Sequence, residues 1–239
     1  MDPSSPHPDR RQRRATVVFA DISGFTRLAE RLDPERLLEL TEACQAAMER
    51  ATVDAGGTID KFIGDAVMAL FGAEHGLEDT AGRAVAAALA MHASVDAIIR
   101  EFDLPRSVGL HIGIDTGSMI AGHMGGDERK DFTVLGDVVN VAGRLQGKAT
   151  VGETLVGAAT YRETLGRYAF QSLGALELKG RDQPVEAYAV LGVAASAQES
   201  LAVLPLLGRS HEIATFRACL LYTSPSPRDR TRSRMPSSA

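Results

Sequence analysis

Two acids, Asp21 and Asp65, each close an apolar run. Thr16-Val17-Val18-Phe19-Ala20 runs into Asp21, and Gly64-Asp65 separates Thr58-Ile59-Asp60-Lys61-Phe62-Ile63 from Ala66-Val67-Met68-Ala69-Leu70-Phe71. Such runs predict short strands, and the Gly-Asp pair between two of them predicts a hairpin tip. If these strands are neighbours, two carboxylates meet at one end of a sheet, which is costly unless a cation lies between them. Their oxygen ligands suit Mg²⁺ or Mn²⁺, which keep open positions for phosphate. Behind Asp21, Ser23-Gly24 leads into a helical pattern from Phe25, and the unpaired N–H groups of a helix start favour phosphate. Taken alone, residues 19–26 fit an ordinary strand-to-helix turn capped by Asp21 or Ser23 equally well. The second acid is what favours a metal–polyphosphate site. Asn140 and Arg144 stand at i and i+4 of a helical segment and project the same way, an amide for a sugar beside a guanidinium for phosphate.

The elements that must position these groups alternate between helical and extended patterns. Residues 24–53 have helical spacing, broken at Asp33-Pro34-Glu35 because Pro suits a first helical turn but not an interior. Residues 78–102 predict an alanine-rich amphipathic helix. Residues 107–115 and 118–124 predict a hairpin around Thr116-Gly117, followed by a polar loop or arm at 125–131 and a strand over 132–135. A helix from Gly136-Asp137 to about Lys148 holds Asn140 and Arg144. A strand at 154–156, a short helix at 157–164 and two or three strands within 168–190 complete the pattern. Helices mixed with hairpins predict an α+β fold with helices packed on a mainly antiparallel sheet.

Four motifs in order, Phe19-Ala-Asp-Ile-Ser-Gly-Phe-Thr26, Asp60-Lys-Phe-Ile-Gly-Asp65-Ala-Val-Met-Ala-Leu-Phe71, Gly109-Leu-His-Ile-Gly-Ile-Asp-Thr-Gly117 and Phe132-Thr-Val-Leu-Gly-Asp-Val-Val-Asn140-Val-Ala-Gly-Arg144-Leu, together resemble a class III adenylyl/guanylyl cyclase catalytic domain over residues 15–191. The resemblance implies a ferredoxin-like βαββαβ core and conversion of ATP to 3′,5′-cyclic AMP and pyrophosphate with two divalent cations. It implies that Asp21, Asp65 and the carbonyl of Ile22 ligate the cations, and that amides around Gly24, Phe25 and Thr26 receive the β- and γ-phosphates. Asn140 would orient the ribose, Arg144 would meet charge on the α-phosphoryl group, and Lys61 with Thr133 would read the base. Lys179 is a weaker candidate for the triphosphate.

Lys with Thr resembles the subgroup that includes bicarbonate-responsive soluble cyclases, rather than the strict adenine pair of Lys with Asp. A guanylyl or dual-specificity cyclase therefore stays open, as does a non-catalytic nucleotide-binding module. In this family the site forms between two chains, so a homodimer would hold two complete sites and a monomer none. Gly143 departs from the alanine usual in the family, and residues 143–149 miss the P-loop pattern by one position.

The remaining residues bound the reading. The chain has 239 residues and a net charge of −5; residues 219–239 hold four Arg against one Asp, leaving −8 on residues 1–218, which argues against a nucleic-acid partner. Cys44 and Cys219 make no disulfide framework, and six His show no metal spacing. With no run of about 18 apolar residues and no signal core, no membrane span is expected, and a soluble, cytoplasmic protein is. Residues 1–14 read as a flexible lead and 192–203 as a linker. Residues 204–218 resemble the beginning of an AAA/STAND-type ATPase module, implying a chain cut off before a larger C-terminal region. Residues 219–239 read as a disordered, non-native tail.

Overall fold

The strand that carries Asp21 near its end is the middle of the fold. The computed structural model describes residues 11–74, 76–125, 130–181 and 183–194. Among them the order is β1 (Arg11–Ser23), α1 (Phe25–Ala29), α2 (Pro34–Asp54), β2 (Thr58–Ile63), β3 (Ala66–Phe71), α3 (Thr80–Glu101), β4 (Gly109–Gly125), β5 (Lys130–Leu135), α4 (Asp137–Gln146), β6 (Thr154–Gly157), α5 (Ala158–Thr164), β7 (Tyr168–Leu176) and β8 (Val185–Val193). One sheet runs β2-β3-β1-β4-β6-β8-β7, with β5 on β4. Every pairing is antiparallel except β4 with β6. The expected α+β architecture is what the chain adopts. The linker beyond residue 194, the ATPase-like segment and the tail lie outside the described residues, as do residues 1–10 of the lead.

Two boundaries differ from the sequence reading. Residues 11–14 are strand, not lead-in, because Arg11 to Arg14 pair with Ala121 to Ser118 of β4. The hairpin expected around Thr116-Gly117 is absent, and residues 109–125 are one strand. Its ladder with β1 holds register without a break from Ser23↔Gly109 to Arg11↔Ala121. Thr116 does not turn because its hydroxyl is buried in a chain of such groups: 2.9 Å from Thr16, which donates to Thr80 at 3.0 Å, and 2.8 Å from Thr160. Those contacts tie α3 and α5 to the sheet, and buried hydroxyls demand such partners.

The break before α2 falls where Pro placed it. Asp33 caps the helix, accepting from the Arg36 amide at 2.9 Å. α3 is long and apolar enough by composition to cross a bilayer. Its apolar side, with Ala84, Val85, Ala88, Met91, Val95 and Ile99, is buried against Val18, Ile112 and Ile114 of the sheet and Leu40, Cys44 and Met48 of α2.

On the opposite face α4 lies directly on β4. The contact is closest at Gly113, where an added Cβ would overlap backbone atoms of Ala142 and Gln146, so no side chain can stand between helix and strand. Gly143, also on this helix, differs: a Cβ there would meet the Phe19 ring at 3.6 Å, an ordinary contact. Two substitutions on one seam should therefore act in opposite directions. Gly113→Ala is expected to destabilise by roughly 2–4 kcal/mol through overpacking against backbone. Gly143→Ala is expected to stabilise by about 0.5–1 kcal/mol through helix propensity. Urea denaturation of the two variants beside the parent checks both signs.

Candidate active site

The β1–β3 register sets Ala20 opposite Val67, so Asp21 comes beside the tip that joins β2 to β3. That tip turns at Gly64, whose φ of +64° lies in the left-handed region, and is braced by the Gln45 amide on the Gly64 carbonyl at 2.9 Å. Asp65 follows at once. The two carboxyl groups are near enough to act on each other's protonation. Burial first, and then the charge of Asp21, push the Asp65 carboxyl up to about 6. Burial also opposes ionisation of Asp21, but it is outweighed by hydrogen bonds from His111 and Asp65 and by the Ile22 amide, so Asp21 stays below its ordinary value. The pair therefore divides its burden, with Asp21 as the anion and Asp65 the acid that holds its proton longer.

His111 and Gln146 complete this corner, and neither is singled out by the sequence reading. The β1–β4 ladder sets His111 across from Asp21, with Nε2 3.3 Å from Oδ2. Its Nδ1 faces the Gln146 carbonyl at 3.0 Å, and the Gln146 side-chain amide donates to Asp21 at 3.3 Å. The hydrogen bond with Asp21, reinforced by the Gln146 carbonyl, raises the pKa of His111 against the opposing effect of burial. Because Gln146 ends α4, the close approach at Gly113 is what brings it there. The signal in the sequence was positional: His111 has no metal-type spacing, and only the strand register shows what it faces.

Asn140 and Arg144 lie elsewhere. They line a surface hollow with Asp137, Gly180, Arg181 and Gln183. The turn between β7 and β8 that forms its other wall is tied to α4 by an ion pair between Arg181 and Asp137. Lys179, exposed on that turn, lines an adjoining hollow with Lys148 and Arg181. Lys61 is half-exposed on β2 and belongs to neither hollow. Gly24 precedes α1 with φ +82°, Phe25 is half-buried, and Ile22 is buried in β1. The backbones of Thr26 and Thr133 are in α1 and β5, Thr133 opposite Gly122; their side chains lie outside the described residues.

One chain thus presents an acidic pair at one end of the sheet and an amide–guanidinium pair in a separate hollow. A profile of the adenylate and guanylate cyclase catalytic domain matches residues 8–192. The chain belongs to the class III adenylate and guanylate cyclase family. It is 33% identical over 192 residues to an adenylate cyclase of Anabaena cylindrica, covering 74% of this chain and 37% of that protein. It is 31% identical to adenylate cyclase 1 of Rhizobium meliloti, covering 76% of this chain and 28% of that one. This chain therefore spans about a third of the length of these curated relatives.

Among solved structures, the adenylyl cyclase CyaB of P. aeruginosa superposes with a TM-score of 0.75 at 32% identity, covering 79% of this chain and 98% of that one. The guanylyl cyclase Cya2 does so with a TM-score of 0.71 at 28% identity, covering 78% and 96%. Cyclase domains of this family bind nucleotide, typically as dimers and with divalent metals.

The donor set fits a hard cation. Both carboxyl groups at the corner offer oxygen, and a divalent charge between them would favour the ionised form of Asp65 that burial and Asp21 oppose. Among the described residues no cluster of three His, Cys, Asp or Glu forms a metal cage by itself. Because Asp65 titrates at about 6 in the folded chain, above the ordinary aspartate range near 4, its ionisation costs stability. That cost is absent below about pH 4, grows as pH rises to about 6 and stays constant above. Metal-free Asp65→Asn is thus expected to exceed the parent in stability by roughly 1–2 kcal/mol at pH 8 and to equal it near pH 4. Mn²⁺ should raise the melting temperature of the parent but not of the variant. Thermal melts with and without Mn²⁺ at the two pH values check both statements.

Proposed function

We propose that this chain is an adenylyl cyclase catalytic domain that works as a homodimer. The observation that supports this most is the Asp21–Asp65 corner, where two carboxyl groups sit close enough to oppose each other's ionisation, a burden that added positive charge would relieve. The separation of the two groups within one chain supports a composite site, in which Asp21 and Asp65 of one copy would face Asn140 and Arg144 of the other across the interface.

In this reading Asp21, Asp65 and the Ile22 carbonyl hold two divalent cations. When bound, these supply a lowered pKa for the ribose 3′ hydroxyl and counter-charge for the triphosphate. Asp21 is held in place by His111 and Gln146. The Asn140 amide bonds the ribose and fixes its 3′ oxygen in line with the α-phosphorus. As the hydroxyl proton passes to solvent, the bond from that oxygen to phosphorus forms and the bond to pyrophosphate breaks, and the Arg144 guanidinium meets the charge on the α-phosphoryl oxygens. The β- and γ-phosphates lie over the amides of Gly24, Phe25 and Thr26, with Lys179 reaching toward them. Lys61 and Thr133 read the adenine ring, the hydroxyl accepting from its amino group.

Two observations favour ATP: Lys61, and the naming of the relatives above as adenylate cyclases. A second reading, a guanylyl or dual-specificity enzyme, has support in Thr133, which is not the strict adenine partner, and in the likeness to a guanylyl cyclase structure. We place the protein in the cytoplasm on the strength of its composition.

Assay of the purified chain with Mn²⁺ is expected to give cyclic AMP from ATP and at least about tenfold less cyclic GMP from GTP. Arg144→Ala should lower kcat by about 10²–10³ with little change in KM, since its bond strengthens in the transition state. Predominant cyclic GMP would establish the second reading, and ATP binding without turnover would overturn both.

A further inference from the structure

Asp60 is a buried charge in need of an explanation. Its side chain is 1% exposed, and neither carboxylate oxygen has a hydrogen-bond partner among the described residues. The ammonium of its neighbour Lys61 lies 3.1 Å from Oδ2 without making a hydrogen bond to it. Neighbouring residues of a regular strand point to opposite faces and cannot pair this way. Here the register slips between Ile59↔Ala69 and Lys61↔Met68, so that Asp60 is an extra residue bulged out of the β2–β3 ladder. A bulge re-aims a side chain. This one turns a carboxylate inward beneath the one base-reading residue that the strand provides.

We propose that Asp60 is a positioning residue for Lys61: it pins the ammonium and so sets the preference for adenine. The inference rests on the reading of Lys61 given above. A lysine ammonium is a point charge on a flexible stem with three donors. Left free, it can donate to the ring N1 of adenine or swing to O6 of guanine. Pinned from below by a buried carboxylate, its remaining donors point to one place. Adenine presents an acceptor at N1; guanine presents an N–H there, which meets a donor. The mismatch is costly in a site that cannot move. Asp60 touches no substrate in this account and acts only through Lys61.

The test uses the full chain with Mn²⁺ and the isosteric change Asp60→Asn. With the ammonium released, KM for ATP is expected to rise about tenfold while kcat changes by less than about threefold, and the ATP over GTP ratio of kcat/KM to fall by about tenfold or more. In a Lys61→Ala background, Asp60→Asn should then change the ratio no further, because the two act as one unit.

Melting of the nucleotide-free protein gives a second readout that needs no turnover. Lys61→Ala is expected to melt several degrees lower, and the double variant Lys61→Ala/Asp60→Asn to recover most of that loss, since no carboxylate is then buried without a cation.

An unchanged ratio in Asp60→Asn, where Lys61→Ala does change it, overturns the inference and leaves the cyclase reading standing. If Lys61→Ala leaves the ratio unchanged too, the role given to Lys61 falls and the inference with it. Additive effects on the ratio, or no recovery of melting in the double variant, assign Asp60 a role independent of Lys61 and likewise overturn the proposal.

Discussion

The repulsion between Asp21 and Asp65 is the interaction on which the site depends. A fold left to lower its own energy would not set one carboxylate near the end of a strand and a second at the tip beside it, both half out of water. The chain keeps them there with backbone. Thirteen residues of β1 pair without a slip to β4, and five pair to β3, so neither acid can retreat without undoing a ladder at the middle of the sheet. Relief comes from His111 and Gln146 at Asp21 and, below about pH 6, from the proton that Asp65 retains. Strain of this kind is held at a site because the surrounding packing over-determines it.

The helix α4 connects this corner to the other functional face. It is seated on β4 where Gly113 leaves no room for a side chain, and its last residue, Gln146, reaches Asp21. Three turns of helix also hold Asn140 and Arg144 toward the β7–β8 turn, where Arg181 is paired with Asp137. A shift of the helix against the sheet would therefore disturb both half-sites together. That single seam links residues far apart in the chain.

Much of this was legible in the sequence. Asp21 and Asp65 announced themselves because strand-end and hairpin-tip chemistry is local: an apolar run, a Gly-Asp pair, a helix start. The Asn140–Arg144 pair followed from helical spacing, and the break before α2 from Asp33-Pro34. What sequence patterns missed was long-range or depended on partners. Thr116-Gly117 looks like a turn, and only the burial of Thr116 between Thr16 and Thr160 keeps β4 straight. Arg11 to Arg14 look like a polar lead, and only the opposing strand makes them β-structure. His111 has no local signature, since its importance lies in the register that sets it across from Asp21. Asp60 sits within a predicted strand with nothing local to mark it, and only a one-residue bulge turns it inward.

The account stands or falls on the division of one catalytic site between two copies, with the acids from one and the amide–guanidinium pair from the other. The most direct measurement mixes two inactive variants, Asp65→Ala and Arg144→Ala, under conditions where mixed dimers are verified by native mass spectrometry. Each variant alone should form almost no cyclic AMP, and the mixture should regain activity through the one intact site of each mixed dimer, up to about a quarter of the parent's rate at equal amounts if subunits pair at random and the two sites act independently. Mixed dimers that form and remain inactive would contradict the shared site.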